Sequence, residues 1–347
     1  MNFASDNVFG VHPRIFEALS EANAGTAVSY GGDDWTKRAE TRLCEVFECD
    51  LRAFLVVTGT AANSLALSAM APPYGAVLCH ADAHIMVDEC GAPELFTGGA
   101  KLIGLDEPGG KITAGAIERK LDGFIRGVHD ARPAAISITQ ASEAGTVYTV
   151  PEIEAISEVA RRRALRVHMD GARFANALVS LACTPAELTW KAGVDALSFG
   201  ATKNGAMALE AVVFFNVPLA EDFGHRRMRA AQLLSKGRFL GAQMLAYLDD
   251  DLWLDNARHA NAMAQKLAKG LAKGMASSRA RLLLPCEANE VFAIMPRTLH
   301  EQLAGAGVVY HQWPGGDHVG AGEILARFVT SYQTKPEDID RLVDLLR

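Results

Sequence analysis

Residues 165–205 read LRVHMDGARFANALVSLACTPAELTWKAGVDALSFGATKNG, and this stretch decides the fold. It opens on a short apolar run, LRVHM at 165–169, with the size and content of a buried strand. That run ends on Asp170, Gly171, Ala172 and Arg173. A second run, DALSF at 195–199, ends in Gly200, Ala201, Thr202, Lys203, Asn204 and Gly205. An acid and an arginine thus follow one strand, and a lysine in a glycine-flanked turn follows another. In an open α/β sheet such positions line the ligand crevice. Taken singly, Asp170 could cap the next helix and Lys203 could be a solvated loop lysine. Taken together, lysine, carboxylate and arginine in one crevice suit pyridoxal phosphate (PLP). The lysine attaches the cofactor, and the acid keeps the pyridine nitrogen protonated so that the ring draws electrons from the substrate.

Composition bounds the rest. A chain of 347 residues, 49% hydrophobic, can bury one large core and a smaller one. The net charge of −7 and the absence of a lysine or arginine run argue against nucleic acid or an anionic membrane as partner. Residues 53–79 carry no charge, but Gly59, Asn63, Pro72, Pro73 and Gly75 break them into strand, loop and buried helix. Asp6, His12, Arg14 and Glu17 interrupt the first twenty residues, so no secretory signal is expected. Six cysteines without C-x-x-C spacing read as reduced thiols. The expected location is therefore cytoplasmic.

Along the chain, residues 35–48 form an amphipathic helix, and residues 53–58 a strand that turns through GTAAN (59–63) into an apolar helix. A strand, a glycine turn and a helix N-terminus make an anion site, because free amides and the helix dipole point at it. His80 and His84, four apart with acids nearby, have metal-ligand spacing; they lie at a strand exit rather than inside a helix, so no metal is expected. A strand at 134–139 runs into TQASEAGTVY, and a returning strand covers 211–215. Arg226 to Arg238 form a basic segment, and residues 251–273 a long helix leading to runs at 281–285, 290–295 and 324–330. Arg327 lies inside ILARFVTS. A buried arginine needs an anion, and its fork matches a carboxylate.

DGARFANA followed by SFGATKNG resembles the L-threonine aldolase family, the β-eliminating-lyase-like group that includes phenylserine aldolase and the low-specificity enzymes. The likeness runs from Ser5-Asp6-Asn7 to Arg327-Phe328-Val329-Thr330-Ser331. It implies the α/β fold type I of PLP-dependent transferases: a large domain with a seven-stranded, mostly parallel sheet, and a small C-terminal α/β domain. We expect an arm at 1–34, the large domain at 35–250 and the small one at 251–347. The implied reaction is retro-aldol cleavage of L-β-hydroxy-α-amino acids, such as threonine, allo-threonine and phenylserine, to glycine and an aldehyde. The alternatives are a β-eliminating lyase or an aminotransferase on the same fold.

The resemblance assigns Lys203 as cofactor lysine, Asp170 as partner of the ring nitrogen, and Gly59 and Thr60 to the phosphate. His84 stacks on the ring near the substrate hydroxyl and is the preferred base. Ser5, Arg173 and Arg327 bind the substrate carboxylate, and Arg173 also reaches the ring O3′. Arg238 approaches the phosphate across a subunit interface, and the loop from Tyr30 to Asp34 lies near the cofactor region of a neighbour. Relatives are homodimers or homotetramers with shared sites. Many place a second histidine after the strand at 134–139; here the equivalents are Thr139, Gln140, Ala141 and Ser142.

Overall fold

The computed structural model describes residues 1–273 and 280–346. Seven strands form the large sheet: β1 (Arg52–Val56), β2 (Gly75–His80), β3 (Lys101–Leu105), β4 (Arg132–Thr139), β5 (Arg166–Gly171), β6 (Ala196–Gly200) and β7 (Glu210–Phe214). Their order is β1-β7-β6-β5-β4-β2-β3. Only β7 runs against the others; it pairs antiparallel with β1 and β6, while the remaining pairs are parallel. The carboxyl ends of six strands therefore share one edge. Every residue of β2, β6 and β7 is buried, as expected of a sheet with helices on both faces. Two strands escape the apolar pattern of the sequence. β3 is a five-residue edge strand, and a later one at 311–313 has three residues.

The helix Gly59–Met70 is largely apolar, without an exposed polar face, and lies buried behind the sheet. Thr58 starts it, its hydroxyl accepting from the Ala61 N–H at 3.1 Å. On the opposite face the helix Asp34–Phe47 is capped by Asp33, which accepts from the Thr36 N–H at 2.8 Å. That helix turns Leu43 and Phe47 into the core. Phe47, Phe174, Phe199, Tyr247 and Trp253 form one aromatic cluster, with Phe174 and Trp253 stacked at 6.4 Å. Burying each such ring contributes about 1.5–3 kcal/mol, and the cluster lies under the turn that carries Lys203.

A second sheet holds β8 (Arg281–Leu282), β9 (Glu290–Pro296), β10 (His311–Trp313) and β11 (Glu323–Val329), antiparallel throughout in the order β10-β11-β9-β8. It packs on the helices Leu252–Lys273 and Pro336–Leu346. The N-terminal segment is tied to it: the Phe3 N–H donates to Val309 O at 2.7 Å, and the Val329 N–H donates to Phe3 O at 2.9 Å. From there the chain passes to the large sheet, where the His12 N–H reaches Gly205 O at 2.8 Å. Ser5 and Asp6 are carried between the two anchor points.

Candidate active site

A cavity of about 560 Å³ opens where the carboxyl ends of β1, β4, β5 and β6 face the small sheet. Ser5, Gly59, Thr60, His84, Asp170, Arg173, Lys203 and Arg327 all line it. Arg238 does not. Its guanidinium reaches the carbonyls of Ala24 and Gly25, and Tyr30 stands exposed on the same side.

Lys203 sits in a single turn of 3-10 helix, Thr202–Asn204. The turn is held from below: Asn204 Nδ2 donates to Tyr247 Oη at 2.9 Å and to Trp253 O at 2.8 Å. Asn256 Nδ2 donates to Asn204 O at 2.9 Å. Gly205 closes the turn at φ 113°, a backbone conformation that disfavours any side chain. The aromatic core thus fixes where the lysine stands. Gly200 has a separate reason: a Cβ there would meet the Ala172 backbone at 2.7 Å, so the β5 and β6 exits can lie side by side.

Asp170 is 4% exposed, with both oxygens directed. Oδ1 accepts from the Ala172 N–H at 2.9 Å and Oδ2 from Asn63 Nδ2 at 2.8 Å. Asn63 Nδ2 also donates to Glu89 Oε1 at 2.8 Å, and Glu89 Oε1 lies 2.8 Å from His84 Nδ1. The sequence pattern missed Asn63 and Glu89. Nothing in it separates Glu89 from its exposed neighbour Asp88, although in the fold the Glu89 side chain is fully buried. The carboxylate takes the Nδ1–H of His84, and this hydrogen bond raises the histidine above its ordinary pKa despite burial.

The two arginines differ. Arg173 is clamped by Asp6, Nε to Oδ2 at 2.8 Å and Nη2 to Oδ1 at 3.1 Å, with Glu290 3.4 Å from Nη1. Burial alone would raise Asp6; the charges of Arg173 and Lys203, with hydrogen bonds from Arg173 and Asn289, together outweigh it and hold the acid below the usual range. The fork of Arg173 is therefore already matched by a carboxylate. Arg327 lies over the Trp313 ring, 4.1 Å from its centroid, and 3.8 Å from Glu290. Its Nε is buried and has no hydrogen-bond partner among the described residues. Arg327 is thus the arginine with an open donor. Ser5 Oγ accepts from the Asn7 N–H at 3.1 Å and donates to Asp6 Oδ1 at 3.4 Å, a long bond that its proton can exchange for a substrate oxygen.

The stretch after β4 corrects one expectation. Gln140 and Ser142 do not face the cavity. Gln140 is paired with the Tyr148 backbone, Nε2 to O at 2.7 Å and N–H to Oε1 at 3.0 Å. Ser142 lies 2.7 Å from the Thr146 hydroxyl. Thr139, Ala141 and Glu143 line the cavity instead, the alternation of an extended chain. His80 also works elsewhere, its Nε2 at 2.8 Å from Glu107 O. Among the described residues no cluster of acids, histidines and cysteines is gathered as for a metal ion, and no helix is long and apolar enough to cross a membrane. All six cysteines are free.

The residues fit PLP. An amine, a buried carboxylate and a helix N-terminus surround one cavity, and these match the cofactor's aldehyde, ring nitrogen and phosphate. At the phosphate end, a Cβ on Gly59 would meet nothing within 4 Å, so the first helical amides open onto free space.

The β-eliminating lyase family profile matches residues 2–294. The low-specificity L-threonine aldolase of a Pseudomonas species is 44% identical over 345 residues, 99% of this chain and 96% of that protein. The enzyme of the same name from Pseudomonas aeruginosa is 45% identical over the same length, again 99% and 96%. A solved threonine aldolase from Leishmania major superposes with a TM-score of 0.92 at 30% identity, covering 99% of this chain and 98% of its own. The chain belongs to the β-eliminating lyase family, on the branch of the L-threonine aldolases.

Proposed function

We propose that this chain is a PLP-dependent aldehyde-lyase that cleaves L-β-hydroxy-α-amino acids, threonine among them, to glycine and an aldehyde. The observation that carries the reading is the meeting of Lys203, Asp170 and the open donor of Arg327 in one cavity. Bound PLP supplies an electron-poor ring that accepts the electron pair released at the substrate Cα. Lys203 is the amine that holds it, and Gly59 and Thr60 receive its phosphate. Asp170, oriented by Asn63 and the Ala172 N–H, keeps the ring nitrogen protonated. Arg327 and Ser5 bind the substrate carboxylate, which sets the Cα–Cβ bond for cleavage. Arg173, clamped by Asp6, braces that wall. His84, which lines the same cavity, would lie beside the ring and near the β-hydroxyl. The test is product analysis: threonine should give glycine and acetaldehyde, whereas β-elimination would give 2-oxobutanoate and ammonia, and transamination an oxo acid.

The copies are expected to assemble as a homodimer or homotetramer in the cytoplasm. Arg238 and the Tyr30 loop lie away from the cavity of their own chain, which suits a role at the site of a neighbour.

Replacing Arg327 by lysine keeps the charge but loses the fork. A hydrogen bond to a charged group is worth about 1.5–3 kcal/mol, about 10- to 100-fold in affinity. Arg327→Lys should weaken threonine and glycine alike by that factor, read from KM and from the spectral titration of glycine. Unchanged affinity for both would make the arginine structural.

Substrate choice at the β-carbon should be loose. With Gln140 and Ser142 turned away, the β-epimers differ by hydroxyl contacts worth about 0.5–1.5 kcal/mol, about tenfold. An apolar pocket also rejects side chains of other sizes poorly. Threonine, allo-threonine and phenylserine should all be cleaved. A threonine to allo-threonine ratio in kcat/KM beyond about a thousandfold would show that a further residue reads the hydroxyl.

A further inference from the structure

We propose that Glu143, rather than His84, takes the proton from the substrate β-hydroxyl. This rests on the aldolase reading and assigns one of its steps. His84 Nδ1 is engaged by the buried carboxylate of Glu89 at 2.8 Å, and this hydrogen bond raises the histidine above its ordinary pKa. The larger the share of His84 that is protonated, the less of it has a lone pair to accept a proton. The cavity wall holds other acceptors.

Four acids line that wall: Asp88, Glu143, Asp170 and Glu210. Asp170 accepts from Asn63 and the Ala172 N–H, and Glu210 accepts from the Ala201 N–H at 3.1 Å. Asp88 is exposed to water. Glu143 differs from all three. Its Oε1 accepts from the His84 N–H at 2.7 Å, which fixes the carboxyl beside the histidine. Its Oε2 is shielded from solvent and has no partner among the described residues. A buried oxygen without a partner is costly, and a substrate hydroxyl would satisfy it.

The electrostatics agree. Burial pushes Glu143 up to about 7, helped by the charge of Asp170, against hydrogen bonds from the His84 N–H and other donors. Arg173, Cys79 and Tyr148 also feel this carboxyl. A base that titrates near the working pH is the best placed to move a proton. In the step, the β O–H bond breaks and its proton passes to Glu143 Oε2. The O–H electron pair becomes the second bond of the aldehyde carbonyl, and the Cα–Cβ pair stays with the carbon that becomes glycine. His84, when protonated, donates to the β-oxygen and holds it in place. As pH rises, Glu143 becomes active and His84 loses the proton that it donates. The profile should therefore be a bell, with its acid limb from Glu143.

The test uses the PLP-loaded enzyme and two reactions: threonine cleavage, and exchange of the glycine α-proton with deuterium, which involves no β-hydroxyl. Glu143→Gln should lower kcat for cleavage by about 100-fold or more and abolish the acid limb, while glycine exchange stays within about threefold of wild type. Glu143→Asp should keep the limb at reduced kcat, and it serves if the glutamine variant does not fold. Cleavage by Glu143→Gln within threefold of wild type, an acid limb that survives in it, or an equal loss of glycine exchange would each overturn the inference. A wild-type enzyme that exchanges glycine but never cleaves threonine would overturn the aldolase reading itself.

Discussion

Lys203→Ala should purify colourless, without the visible band of lysine-bound PLP, and should lose threonine cleavage by several orders of magnitude. The lysine is the group that attaches the cofactor covalently, and removing it removes covalent catalysis altogether. The fold should survive. The turn around Lys203 is held by Asn204, Asn256 and the left-handed Gly205 rather than by the lysine ammonium. Thermal unfolding without PLP should therefore differ little between variant and wild type. A large loss of stability without cofactor would mean that Lys203 has a structural partner in the fold. A variant that still cleaves threonine at near-normal rate would remove Lys203 from the chemistry.

Asp170→Asn should keep the fold and most cofactor binding, yet lose most cleavage. Asparagine has the same shape, and its carbonyl can still accept from Asn63 or the Ala172 N–H. What disappears is the negative charge. A neighbouring charge shifts a pKa by about 1–3 units, and each unit is 1.36 kcal/mol, so cleavage should fall about 10- to 1000-fold. The upper end applies where the carboxylate is buried, as here. The measurements are kcat with threonine and the pH dependence of the bound-cofactor spectrum. Turnover within twofold of wild type would count heavily against pairing with the ring nitrogen.

Much of this site is legible in the sequence because strand ends announce it. LRVHM and DALSF are apolar runs, so the residues just after them, Asp170, Arg173 and Lys203, can be placed at the crevice before any coordinates. GTAAN is legible for the same reason. The acids that tune the site are not. Asp6, Glu89, Glu143, Glu210 and Glu290 are enclosed in the fold, but in a string of letters they look like Glu17 or Asp88. Their burial follows from contacts between distant segments, as when Asn289 Nδ2 reaches Asp6 at 3.1 Å across 283 positions. Trp313 escapes notice because β10 has only three residues and shows no period. Which of Thr139, Gln140, Ala141 and Ser142 turn to the cavity is not legible either, because facing depends on the phase of an extended segment. A one-residue error there exchanges the two faces.

Reduction of the PLP-loaded enzyme with borohydride, followed by peptide mapping, locates the lysine that holds the cofactor. One pyridoxyl group per chain is expected, on the peptide that carries Lys203. A label on any other lysine, or an unlabelled protein that still cleaves threonine, would contradict it.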